Sequence, residues 1–185
     1  MTSIDPKEAA AALSVIDSIA HRVRQSTIYN LASLMLIMWG VLVLSGNIGS
    51  YLWPREAGYI WTALNVVGLA GSLAIGIFES RRTSVHCFDL RMVAAFLLFF
   101  AFGILWSIGI GHFTPRQLGV FWPTYFMMVY TVAGLWVGLA FVAIGLGITA
   151  LTLIGYFFIG DAFDLWMAFV NGGGLVLGGL WMRRS

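Results

Sequence analysis

The chain has 185 residues, of which 60% are hydrophobic and 10% charged, against roughly 25% charged in soluble domains. Such poverty in charge excludes an aqueous globular domain and points to lipid as the solvent. A net charge of +2 leaves no electrostatic footprint for nucleic acid, and a lone cysteine, Cys87, excludes an intrachain disulfide.

Residues 1–27 are comparatively polar and read as an amphipathic helix. Asp5, Pro6 and Glu8 fit the cap, first and third helical positions of an N-terminus. Leu13, Ile16, Ala20 and Val23 then recur at spacings of three and four, while Lys7, Ser14, Asp17, His21 and Gln25 fall largely opposite. Such a helix either lies on the membrane surface or against the loops, or docks a partner or a second copy. The polar start and the long apolar block behind it are unlike a cleaved signal peptide.

A spanning helix needs about 20 apolar residues, and six stretches of suitable length follow. The first covers 28–52 and ends at Trp53 and Pro54; the second covers 58–78 and contains Asn65. The polar loop 79–91 leads to a third span at 92–112. Beyond a turn at Thr114, Pro115 and Arg116, residues 118–160 are apolar almost without interruption. As one helix they would be about 64 Å long, twice what a bilayer needs. They therefore read as two spans, 118–138 and 143–160, with the hairpin at 139–142. The last span is 165–182, and Arg183, Arg184 and Ser185 form a short basic tail. The expected fold is an all-α polytopic bundle of six transmembrane helices.

Charge supplies the orientation. Lys7, Arg22, Arg24, Arg81, Arg82, Arg91, Arg183 and Arg184 fall on one side of a six-span arrangement, and only Arg55 and Arg116 on the other. The positive-inside rule then makes both termini cytoplasmic. The opposite face carries Tyr51, Trp53, Tyr59, Trp61, Trp106, Phe113, Trp122, Tyr125 and Trp166. These read as an interfacial aromatic belt, or as a site for a flat or lipidic ligand.

No Asp, Glu, Lys, Arg or His falls in the middle of any span, which argues against ion-coupled transport and acid–base catalysis within the bilayer. Asn65 and Asn171 are the polar candidates there, either as bonds between helices or as lining of a polar pathway. Small-residue spacings are frequent: Gly68, Ser72 and Gly76; Gly103, Ser107 and Gly111; Gly134 with Gly138; and Gly174 with Gly178. They predict close helix packing within the chain or between chains. The run Gly172-Gly173-Gly174 is a weak point in the last helix.

His86, Cys87 and Asp89 lack the separation of metal ligands, and no metal is expected. His112 lies at the aromatic face while His21 and His86 fall on the other side, which disfavours a haem between two histidines. No phosphate loop, dinucleotide fingerprint or hydrolase motif is present, so no cofactor and no catalytic residue is expected.

The ending LWMAFVNGGGLVLGGLWMRRS, with the earlier run FWPTYFMMVYTVAGLWVG, resembles bacterial polytopic membrane proteins of similar length. The resemblance implies an inner (plasma) membrane location and carries no activity. The expected function is that of a non-enzymatic accessory or regulatory subunit. Its expected contacts are with membrane lipids and with a partner or further copies of itself, through the small-residue faces, the N-terminal helix and the loop bearing Arg81, Arg82 and Arg91. The alternatives are a small transporter or channel for a neutral or lipidic solute, with Asn65 and Asn171 near its path, and a lipid-modifying enzyme using Asp161, Asp164 or His112.

Overall fold

In the computed structural model the backbone is described for residues 6–83 and 90–184, and side chains for 29–79 and 93–184. The proposed cap at Asp5 and the group His86, Cys87 and Asp89 lie outside the described residues, as do the side chains of Arg81, Arg82 and Arg91.

Over the described residues the protein is an all-α bundle with six helices long and apolar enough to cross a membrane. Helix α1 is Pro6–Leu52, and a short 3-10 turn at Pro54–Glu56 leads into α2, Ala57–Thr83. Helix α3 is α-helical over Leu90–Ile104 and closes with a π-helical stretch, Leu105–Ile110. Helices α4 (Pro115–Val137) and α5 (Leu139–Phe158) follow. Helix α6, Phe163–Met182, contains a π-helical stretch at Ala168–Gly173.

Two features differ from the reading of the sequence. The helix placed at 1–27 and the span placed at 28–52 are parts of one unbroken α1. The physical reason is an absence of breakers, because neither glycine nor proline occurs between Lys7 and Trp39. The hairpin sits at Gly138 rather than at 139–142. This single residue joins α4 to α5 with φ 151° and ψ 155°. Only glycine reaches that conformation without steric strain, which is why no charge or proline is needed to mark the turn.

The other ends obey ordinary capping chemistry. Thr114 and Gln117 form a capping box around Pro115, with the Thr114 backbone N–H donating to Gln117 Oε1 at 2.9 Å. Helix α3 stops at His112, whose φ of 46° is left-handed, and the Phe113 N–H donates back to the Ser107 carbonyl at 2.9 Å.

The core lies among α1, α4, α5 and α6, where Leu36, Met127, Phe141, Ile144, Ile148, Leu175 and Met182 pack together. Helix α2 leans on α1 at one edge, and α3 leans on α4 at another. These two helices bury the smallest share of their residues.

Candidate functional site

Glycines set how closely the helices approach, and the seam between α1 and α6 shows it. A methyl group on Gly172 would run into the backbone of Leu44, and one on Gly40 into the backbone of Val176 and Gly172. At the basic end of this seam the buried Ser33 hydroxyl donates to the Gly179 carbonyl at 2.7 Å. The α4–α5 pair is built in the same way, with Gly134 against the backbone of Val142 and Gly145 against Met127 and Thr131.

The edge helices are held differently, by aromatic rings seated on glycines. Trp39 of α1 covers Gly68 of α2 and donates its indole N–H to the Ser72 hydroxyl at 3.0 Å. Trp61 of α2 covers Gly46 of α1 and donates to Ser50 at the same distance. The two contacts repeat one device, a glycine to seat the ring and a serine four residues on to receive its N–H. On α3, Gly103 seats Trp122 of α4, while the Phe99 and Tyr125 rings stack with centroids 4.0 Å apart. The Tyr125 hydroxyl completes this contact by donating to the Phe99 carbonyl at 3.1 Å.

Two buried polar side chains meet at the π-helical stretch of α6. Asn171 is buried there, and its amide donates to the Thr152 hydroxyl of α5 at 3.3 Å and to the Met167 sulfur at 3.4 Å. Thr152 is itself fully buried. A π-helical turn shifts the register of the side chains beyond it, and such turns are frequent at functional positions. Here the shift serves two contacts at once: Asn171 is set against α5, and Gly172 against α1.

The sequence candidates therefore separate. Asn171 bonds across helices, whereas the Asn65 amide donates to the Trp61 carbonyl of its own helix at 2.8 Å. Gly68 and Ser72 receive Trp39, Gly76 is buried in α2, and Gly174 and Gly178 pack on Ile148 and Ile144. Gly68 and Ser72 thus take a side chain of this chain's own α1, while Gly174 and Gly178 also border an open groove. The expected aromatic belt divides too. Tyr51, Trp53, Tyr59 and Trp106 are exposed, while Trp61, Trp122, Tyr125 and Trp166 are half-buried in helix contacts.

Two hollows stand out among the described residues. One of about 660 Å³ opens at the basic end between α1, α2 and α6, where Asn30, Leu34, Phe78, Glu79 and Arg183 contribute to its wall. The other, about 340 Å³, is an apolar groove between α5 and α6 over Gly147, Gly174 and Gly178. Neither is lined by Asn65 or Asn171.

Arg116 was not foreseen as a structural residue. From the first turn of α4 it donates to the Tyr156 carbonyl at 2.9 Å, to Ile159 and to Gly160, closing the end of α5. Its guanidinium lies 4.8 Å from the Phe163 ring centroid. A cation at a helix C-terminus satisfies carbonyls that have no partner in the helix. No family model, curated protein or solved structure matches this chain.

Proposed function

We propose that this multi-pass protein is a non-enzymatic accessory or regulatory subunit of a bacterial inner-membrane assembly, with both termini in the cytoplasm. The observation that carries the reading is how the bundle's polar groups are used. Asn171 is spent on Thr152 and Asn65 on its own helix, and neither lines either of the two hollows among the described residues. The middle of each span offers no Asp, Glu, Lys, Arg or His for coupling or proton transfer.

The surface available to a partner is then the outer side of the edge helices. Val66, Leu73, Ile77 and Phe78 are exposed on α2, and Leu97, Leu98, Phe102 and Leu105 on α3. The placement in the inner membrane rests on the resemblance of the C-terminal runs, and the orientation on the basic residues at one end.

Native mass spectrometry of the protein drawn from its own membrane into mild detergent tests this. Stoichiometric co-purification of a second protein is the expected result. A protein free of other chains and carrying a defined solute would overturn it in favour of transport.

A further inference from the structure

Helices α1 and α2 carry the same residues 22 positions apart. Residues 38–50 read MWGVLVLSGNIGS and residues 60–72 read IWTALNVVGLAGS. Trp39, Leu42, Gly46, Gly49 and Ser50 recur as Trp61, Leu64, Gly68, Gly71 and Ser72, five identities in thirteen positions. Their placement is selective. The seven buried or half-buried positions of the second stretch hold all five identities, and its six exposed positions hold none. Chance likeness between two apolar helices would fall on both faces alike.

The contacts repeat with the residues. Trp39 sits on Gly68 and donates to Ser72, while Trp61 sits on Gly46 and donates to Ser50, both at 3.0 Å. The residue before each ring follows suit, with Met38 against Gly71 and Ile60 against Gly49. Adding 22 to each α1 residue, and taking 22 from each α2 residue, turns one set of contacts into the other.

This is a two-fold relation. Trp39 faces a residue 29 positions later, whereas Gly46 faces one only 15 later. Counterparts 22 apart are therefore level midway between these contacts, at Leu42 and Leu64. That level is within about 4 Å of the middle of both spans. Since the two helices run in opposite directions, the axis that exchanges them lies in the membrane plane, as for repeats of inverted topology.

We infer that 38–50 and 60–72 are two copies of one helix-pairing unit, and that the partner this face fits is an antiparallel helix bearing the same face. A two-fold contact is self-complementary, because each copy offers a ring and receives one. The chemistry suits lipid surroundings. Glycine admits the ring at close range, and serine supplies the indole N–H with an acceptor that hydrocarbon cannot. Spacing fixes the direction of the partner. Two such units held level and parallel would set ring against ring and glycine against glycine, whereas antiparallel pairing seats both rings. One clamp then falls in each half of the bilayer, Trp39 with Ser72 toward the basic end and Trp61 with Ser50 toward the other.

Matched and crossed double variants test this, through melting temperatures of the whole protein in one detergent. Gly68→Ala and Gly46→Ala each crowd a ring, and each should lower the melting temperature by roughly 3 °C. Trp39→Phe should relieve Gly68→Ala, and Trp61→Phe should relieve Gly46→Ala, so each matched double loses less than the sum of its singles. The crossed doubles, Gly68→Ala with Trp61→Phe and Gly46→Ala with Trp39→Phe, should lose the full sum. Coupling at one end only or at neither, or crossed coupling as strong as matched, overturns the inference. A further variant tests interchange of the copies. Ile60→Met with Asn65→Val gives the seven covered positions of α2 the residues of α1. It should lower the melting temperature by less than Trp61→Phe does; an equal or larger fall again overturns the inference.

Discussion

Helices α3 and α6 invert the rule learned from soluble proteins. The most apolar of the six spans is α3, yet few of its residues are buried; α6 is among the least apolar and buries the largest share. In water the apolar helix would be inside. In lipid, apolar side chains gain nothing by leaving the hydrocarbon, so packing and hydrogen bonding decide what lies within. Helix α6 has what those forces use, namely Asn171 to bond with Thr152 and Gly172, Gly178 and Gly179 for close approach. Helix α3 has large apolar chains that lipid solvates, and it is held to α4 chiefly through aromatic rings.

The contrast can be broken at its contacts. The largest loss should come from Trp39→Ala, which empties the seat at Gly68 and removes the Ser72 bond, costing about 3 kcal/mol. Trp106→Ala, on the exposed side of α3, should cost under about 0.5 kcal/mol in the same unfolding titration. Gly138→Ala forces a Cβ into a backbone region reserved for glycine, and should cost about 2 kcal/mol and disturb the α4–α5 pair. A normal midpoint would mean that the turn has another conformation.

Smaller effects sharpen the comparison. Asn171→Leu removes a bond between helices and should cost about 1 kcal/mol. Asn65→Leu removes only a bond within α2 and should cost less. Equal losses from the two would contradict the distinct roles drawn for them. Arg116→Gln gives up the carbonyls at the end of α5 and should lower the melting temperature slightly, by the equivalent of about 0.5 kcal/mol at an exposed site.

The helical class and the number of long apolar stretches were legible in composition alone, because hydrocarbon thickness imposes a length that sequence must meet. The turn at Gly138 was not, since a lone glycine in an apolar run looks like any of the other twenty-one. Continuity of α1 was readable in principle. The change from polar to apolar at residue 28 is not a helix end, and only a breaker would have made it one. The spacing of Gly68 and Ser72 was noticed but its occupant was not, because Trp39 lies on another helix. Its twin, Gly46 with Ser50, shows the signal that was available: the same spacing twice, each paired with a tryptophan. Arg116 read as a loop cation because its carbonyl partners lie forty residues away or more.

The most direct test of the central claim, that glycine-set contact rather than apolarity decides which helices lie inside, uses two neighbouring glycines. A methyl group on Gly172 meets the backbone of α1, whereas one on Gly173 meets nothing within 4 Å. Melting temperatures of Gly172→Ala and Gly173→Ala in the same detergent should differ, the first clearly lowered and the second unchanged or raised. Equal shifts in both variants would contradict the account.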